Sequence, residues 1–213
     1  MKLKTVFSLI DTILILYLAY KFLSLWICPQ ADQVEMIYDF AILMAFEFIM
    51  VHSGVFMSFF GKSWKVWLAF IIFYGLFALI FNTFVNSNYI IIMYCAVVFN
   101  RMLSGMQIVR NNNENATEKE TAIGKSAVVC MIYFLLILGV CLCAHFIPKF
   151  GLTDEFFQTT NYHDNIKIGG IFTEMPQVSM CFGTLYYLAL ALMNIFSIVR
   201  SFESAEQRQQ RHF

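Results

Sequence analysis

Six runs of predominantly apolar residues follow one another along this chain, at approximate positions 5–27, 35–60, 65–85, 89–109, 125–147 and 178–200. A helix of about 20 residues, rising about 1.5 Å per residue, crosses a hydrocarbon core roughly 30 Å thick. Inside lipid the backbone must satisfy its own hydrogen bonds, which a helix does within one segment. Composition points the same way: 60% of the residues are hydrophobic and 13% are charged, against about 25% charged in ordinary soluble domains. A soluble fold of 213 residues has too little interior for 24 Phe and 12 Met. The expected fold is all-α. It is a polytopic integral membrane protein whose six transmembrane helices form one compact domain over residues 1–213.

The breaks between runs are legible. Cys28-Pro29-Gln30-Ala31-Asp32 closes the first, Gly61-Lys62-Ser63-Trp64 and Asn86-Ser87-Asn88 read as turns, and Pro148 ends the fifth. The short second and third connections predict antiparallel hairpins. The first run is too long for the apolar core of a signal peptide and lacks a small-residue cleavage site, so it reads as a retained helix. The longest connection, an outer loop over 148–177, carries Phe156, Phe157, Ile168, Ile171 and Phe172 as apolar anchors that would fold it back onto the bundle or into the interface. Residues 111–125 read as a flexible or helix-extending loop, and 201–213 as a tail continuing the last helix.

Cations set the orientation, because loops on the cytoplasmic side accumulate Lys and Arg. With six spans both termini share a side. That side holds Lys2, Lys4, Lys62, Lys65, Arg110, Lys119, Lys125, Arg200, Arg208 and Arg211, while Lys149 and Lys167 lie opposite. Both termini are therefore expected in the cytoplasm, and the compact architecture suggests a bacterial inner (plasma) membrane. The net charge of zero and the lack of a long basic tract argue against nucleic acid as a partner. Six cysteines show no CxxC or Cys/His zinc spacing. Cys28, Cys141, Cys143 and Cys181 fall toward the outer side, where a disulfide is chemically open to them.

Charged and amide side chains within the runs are the candidate functional residues, since a lone charge near the midplane costs roughly 2.5–3.5 kcal/mol on insertion scales. Glu47 in the second run and Arg101 in the fourth share a depth to within about a turn. An ion pair is expected between them, with Asn100 and Ser104 meeting their remaining donors and acceptors. His52 diverges from Glu47 by about 140° around the same helix, and is expected to bond Asn194 or Asp11 at a similar depth. Lys21 and Asp39, near the outer ends of the first two runs, form a further candidate pair.

No catalytic, cofactor or metal constellation emerges. Asp154, Glu155, His163 and Asp164 lack the spacing of a calcium or zinc loop. The reading is a non-enzymatic subunit that assembles with itself or with membrane partners and senses or transmits a signal. A soluble cytoplasmic partner would dock at 110–125 or on the tail. The alternative is a channel or small-solute transporter with Glu47, Arg101, His52 and Asn194 along its route. A further alternative is a membrane enzyme with an outward-facing site near His145 and His163.

Overall fold

The structure, a computed structural model, describes residues 3–60, 64–85, 88, 90–92, 95 and 115–210. Among them no strand occurs, and the long elements are helices: α1 (Leu3–Ile27), α2 (Val34–Phe60), α3 (Trp64–Asn82) and α4 (Asn115–Leu142). Two short helices follow, α5 (Asp154–Thr159) and α6 (Ile171–Glu174), and then the longest, α7 (Pro176–Gln210). The expected fourth run, 89–109, lies almost wholly outside the described residues; 90–92 and 95 are helical, and Ile90 is buried.

Two helices, Ser8–Ile27 and Pro176–Arg200, are long and apolar enough to cross a membrane by length and composition. Leu68–Asn82 and Ser126–Leu142 are shorter apolar helices. The chain between 111 and 125 proves helix-extending rather than loop-like from Asn115 onward, and α7 likewise runs on to Gln210. At the other end of α4 the helix stops at Leu142, ahead of Pro148, and a 3-10 turn over Ala144–Phe146 takes over. Proline cannot be the immediate cause of that stop. α7 opens on Pro176, whose missing N–H costs nothing at a first helical position.

α2 is the hub. Ile37, Tyr38, Asp39, Phe40, Ala41, Ile42, Leu43, Met44 and Phe46 are all buried, so this half of the helix is enclosed on every side. α3, α4, α6 and α7 pack on it, and α1 lies along α7 over the most extensive helix pair of the bundle. That pair is antiparallel in register: Phe22 meets Tyr187 and, further along, Asp11 meets Asn194. Gly183 makes the close approach possible. A Cβ there would stand 2.4 Å from two ring atoms of Phe22, whose ring is already held 4.8 Å from Phe40 and 5.6 Å from Tyr187.

The connection between α4 and α7 folds back on the bundle as an ordered cap. Thr153 caps α5 by accepting from the Phe156 N–H at 3.2 Å. Tyr162 is buried and donates to the Thr173 carbonyl at 2.9 Å, while the Ile168 N–H donates to the Tyr38 hydroxyl of α2 at 3.1 Å. Phe172 of α6 stacks on Phe182 of α7 at 5.7 Å. Trp26 ties the end of α1 into the same layer: its indole donates to the Pro148 carbonyl at 2.8 Å, and its own carbonyl accepts from the Gly151 N–H at 3.2 Å. All six cysteines are free thiols.

The long helices leave broad apolar faces uncovered. Exposed side chains include Ile10, Ile13 and Leu14 on α1, Ile72, Leu76 and Leu79 on α3, Leu135 and Leu138 on α4, and Leu188, Leu192 and Phe196 on α7. Contiguous apolar surface on this scale marks a face that meets something other than water.

Candidate functional site

Near the middle of α2, Glu47 turns a half-buried carboxylate toward α7, where the Tyr186 hydroxyl donates to its Oε1 at 3.1 Å. Tyr186 is fully buried, and an unbonded buried phenol costs free energy that this acceptor offsets. Aromatic rings wall the bond. Tyr133 of α4 stands edge-on to Tyr186 at 5.2 Å and to Phe182 at 5.0 Å. The Tyr133 hydroxyl donates to the Met44 carbonyl at 2.7 Å, one turn before Glu47. Beside them the Tyr187 hydroxyl is buried with no hydrogen-bond partner among the described residues. Three helices thus meet around one acidic group through phenols. The arrangement is suited to holding a charge or a proton away from water and fixing which helices pack together.

A second polar contact lies further from the cap. Asn194 of α7 donates through Nδ2 to Asp11 Oδ2 of α1 at 2.9 Å, both side chains half-buried. The sequence pointed to both residues but offered them to His52. His52 instead donates from Nδ1 to the Phe48 carbonyl of its own helix at 2.6 Å, which fixes the tautomer because a carbonyl only accepts. Its ring packs against Phe48 at 4.3 Å and Phe134 at 5.2 Å. A carbonyl one turn back satisfied it before a neighbouring helix did.

Of the candidate outer pair, Lys21 places its ammonium over the Tyr17 ring at 5.8 Å to the centroid, and Asp39 is buried at the cap end of α2. Arg101, Asn100 and Ser104 lie outside the described residues. In the cap, His163 packs its ring on Phe157 and Tyr162, each at 5.4 Å. His145 is exposed, and Lys149 pairs with Asp154 at 2.6 Å. Among the described residues no three His, Cys, Asp or Glu side chains gather as metal ligands would. Burial, reinforced by Tyr38, pushes the Tyr162 phenol well above its usual range.

Sequence reasoning passed over Tyr186, Tyr187 and Tyr133. The signal was present: adjacent tyrosines well inside a run of membrane-spanning length need hydrogen-bond partners there. Tyr186 lies 10 residues into α7 and Glu47 lies 13 into α2, both counted from the cap. Matching depths across helices that start on one side would have paired them. No protein-family profile, curated protein or solved structure matches this chain.

Proposed function

We propose that this chain is a six-helix integral membrane protein without enzymatic activity, a subunit that assembles with itself or with partner proteins and senses or transmits a signal. The observation that carries the reading is the combination of uncovered apolar faces on α1, α3, α4 and α7 with a phenol-bound carboxylate inside the bundle. Lipid covers the former, and the latter is expensive enough in lipid to need a purpose in packing or signalling. α7, about 52 Å long at 1.5 Å per residue, exceeds the bilayer core and carries its last turns beyond it. With α4 it would present a platform for a soluble partner on the side opposite the cap. Both termini lie there, in the cytoplasm of a bacterial inner membrane, as the distribution of Lys and Arg supports.

Within this reading Arg101 supplies a counter-charge to Glu47. Joint replacement by Leu is then tolerated better than Glu47→Ala alone, because breaking one side of a buried pair costs about 3–5 kcal/mol and apolar replacement of both is often mild. The second reading, a channel or transporter, draws on Glu47, Asp11 and Asn194 being half-exposed within the helical layer. Purification in native lipid discs separates the two. A stable oligomer or complex and no solute flux in liposomes supports the subunit reading; a monomer whose flux is abolished by Glu47→Gln replaces it with the transporter.

A further inference from the structure

The cap carries an aromatic rim that its own packing does not need. α4 ends at Leu142, 74% exposed, and the chain then turns through Phe146, 87% exposed, and Phe150, 54% exposed. The last residue of α1, Ile27, is exposed beside them, since the Gly151 N–H bonds the Trp26 carbonyl. Gly151 itself admits no side chain: a Cβ would lie 2.2 Å from Pro29 Cδ and 2.6 Å from the Ile27 carbonyl. That contact fixes the height of the rim at the end of the span Ser8–Ile27.

Phe150 is the informative residue. Its φ is +46°, in the left-handed region where glycine and asparagine sit without strain and a bulky side chain does not. The backbone therefore accepts strain to place an aromatic ring there. The ring meets the Trp26 indole edge-on at 5.1 Å yet keeps half its surface outside. Between the two phenylalanines in sequence, Lys149 extends to Asp154, a pair of exposed charges.

We propose that residues Leu142–Gly151 form an interfacial anchor, with Phe146 and Phe150 inserted at the boundary between acyl chains and phospholipid headgroups of the leaflet on the cap side. The occupant is lipid because Leu135, Leu138 and Leu142 leave the α4 face uncovered to its last residue, and the exposed Phe146 and Phe150 follow directly in the chain. The segment also lies where that face must leave the hydrocarbon, the depth at which amphipathic aromatic clusters bind. The anchor fixes the cap's height and tilt relative to the membrane. It rests on the membrane reading above.

The test is spin-label depth measurement on the full chain, with its six native cysteines replaced, in phosphatidylcholine vesicles. Single labels are placed at 138, 146, 150 and, as a water-exposed cap reference, 158. The anchor predicts that 146 and 150 are reached by oxygen and several-fold less than 158 by a water-soluble nickel complex, at a shallower depth than 138. Phe150→Gly removes ring and strain together. It should leave the thermal midpoint in detergent unchanged or higher, while raising nickel access at 146 several-fold. Nickel access at 146 equal to that at 158 overturns the proposal, and so does protection of 146 from both reagents, which means a protein surface covers it. A lower midpoint for Phe150→Gly with unchanged depth at 146 also overturns it, because the ring would then serve only to pack Trp26. If 138 is open to nickel, the membrane reading itself fails; if 138 is protected and 146 is not, only the anchor fails.

Discussion

At the residue scale, single hydrogen bonds between distant segments decide how polar groups are carried inside this bundle. Asn194 and Asp11 show the logic, since each is half-buried and each satisfies the other across the α1/α7 seam. Interhelical hydrogen bonds in membranes average about 0.6 kcal/mol and reach about 1.7, so Asn194→Leu should destabilise by about 1 kcal/mol. Asn194→Leu with Asp11→Leu should recover most of that loss, because no polar atom is then left stranded. Unfolding by denaturant in mixed micelles measures both; a double variant weaker than the single would show that Asp11 has other work. Tyr162 gives a pH prediction. Its folded phenol titrates above the ordinary value of about 10, so its contribution is complete below about pH 10 and is lost as pH rises further. Hydrogen exchange across 150–175 should accelerate above about pH 10 beyond the intrinsic chemical rate, and Tyr162→Phe should remove that extra component.

At the scale of elements, run length and breaks made α1, α2 and α3 legible to within a few residues, while α7 runs about ten residues past the expected end of its run, along the tail read as continuing it. The physical reason is that the length of an apolar run between polar breaks is a crude quantity that needs no knowledge of neighbours. The start of α4 was harder, because the polar stretch from Asn115 to Lys125 carries no apolar period, yet it is helical. That the 148–177 connection folds back was legible from its apolar anchors, but its internal structure was not. It is held by contacts such as Ile168 to Tyr38 and Trp26 to Pro148, which span more than a hundred residues of sequence. In the site, Glu47, Asp11 and Asn194 announced themselves as polar residues in apolar runs. Tyr186 and Tyr133 did not, because tyrosine passes equally for core or interface until its hydroxyl finds an acceptor. Close packing also has an element-scale test. Gly183→Ala drives a methyl into Phe22, which Phe40 and Tyr187 prevent from moving aside, so it should cost about 1–3 kcal/mol. Adding Phe22→Leu should relieve part of that loss. The thermal midpoint of the purified chain reads both.

At the scale of the whole molecule, an enclosed hub helix, outer helices with bare apolar faces and a cap over one end are what the proposed membrane reading requires, with the solvent changing along the bundle axis. The cap side carries the exposed carboxylates Asp32, Glu35, Asp154, Glu155 and Asp164, while apolar residues dominate the outward faces of α1, α3, α4 and α7. Burial in a larger protein assembly would cover some of these faces; on the membrane reading proposed above, lipid would cover all of them at once. The most direct measurement places spin labels one at a time at Leu14, Leu76, Leu138 and Leu192, each exposed on a different helix, in membranes containing the otherwise cysteine-free chain. The account predicts high oxygen access and negligible access by a water-soluble nickel complex at all four positions. Free access by the nickel complex at these sites, equal to that of a cap residue such as Gln158, would contradict it.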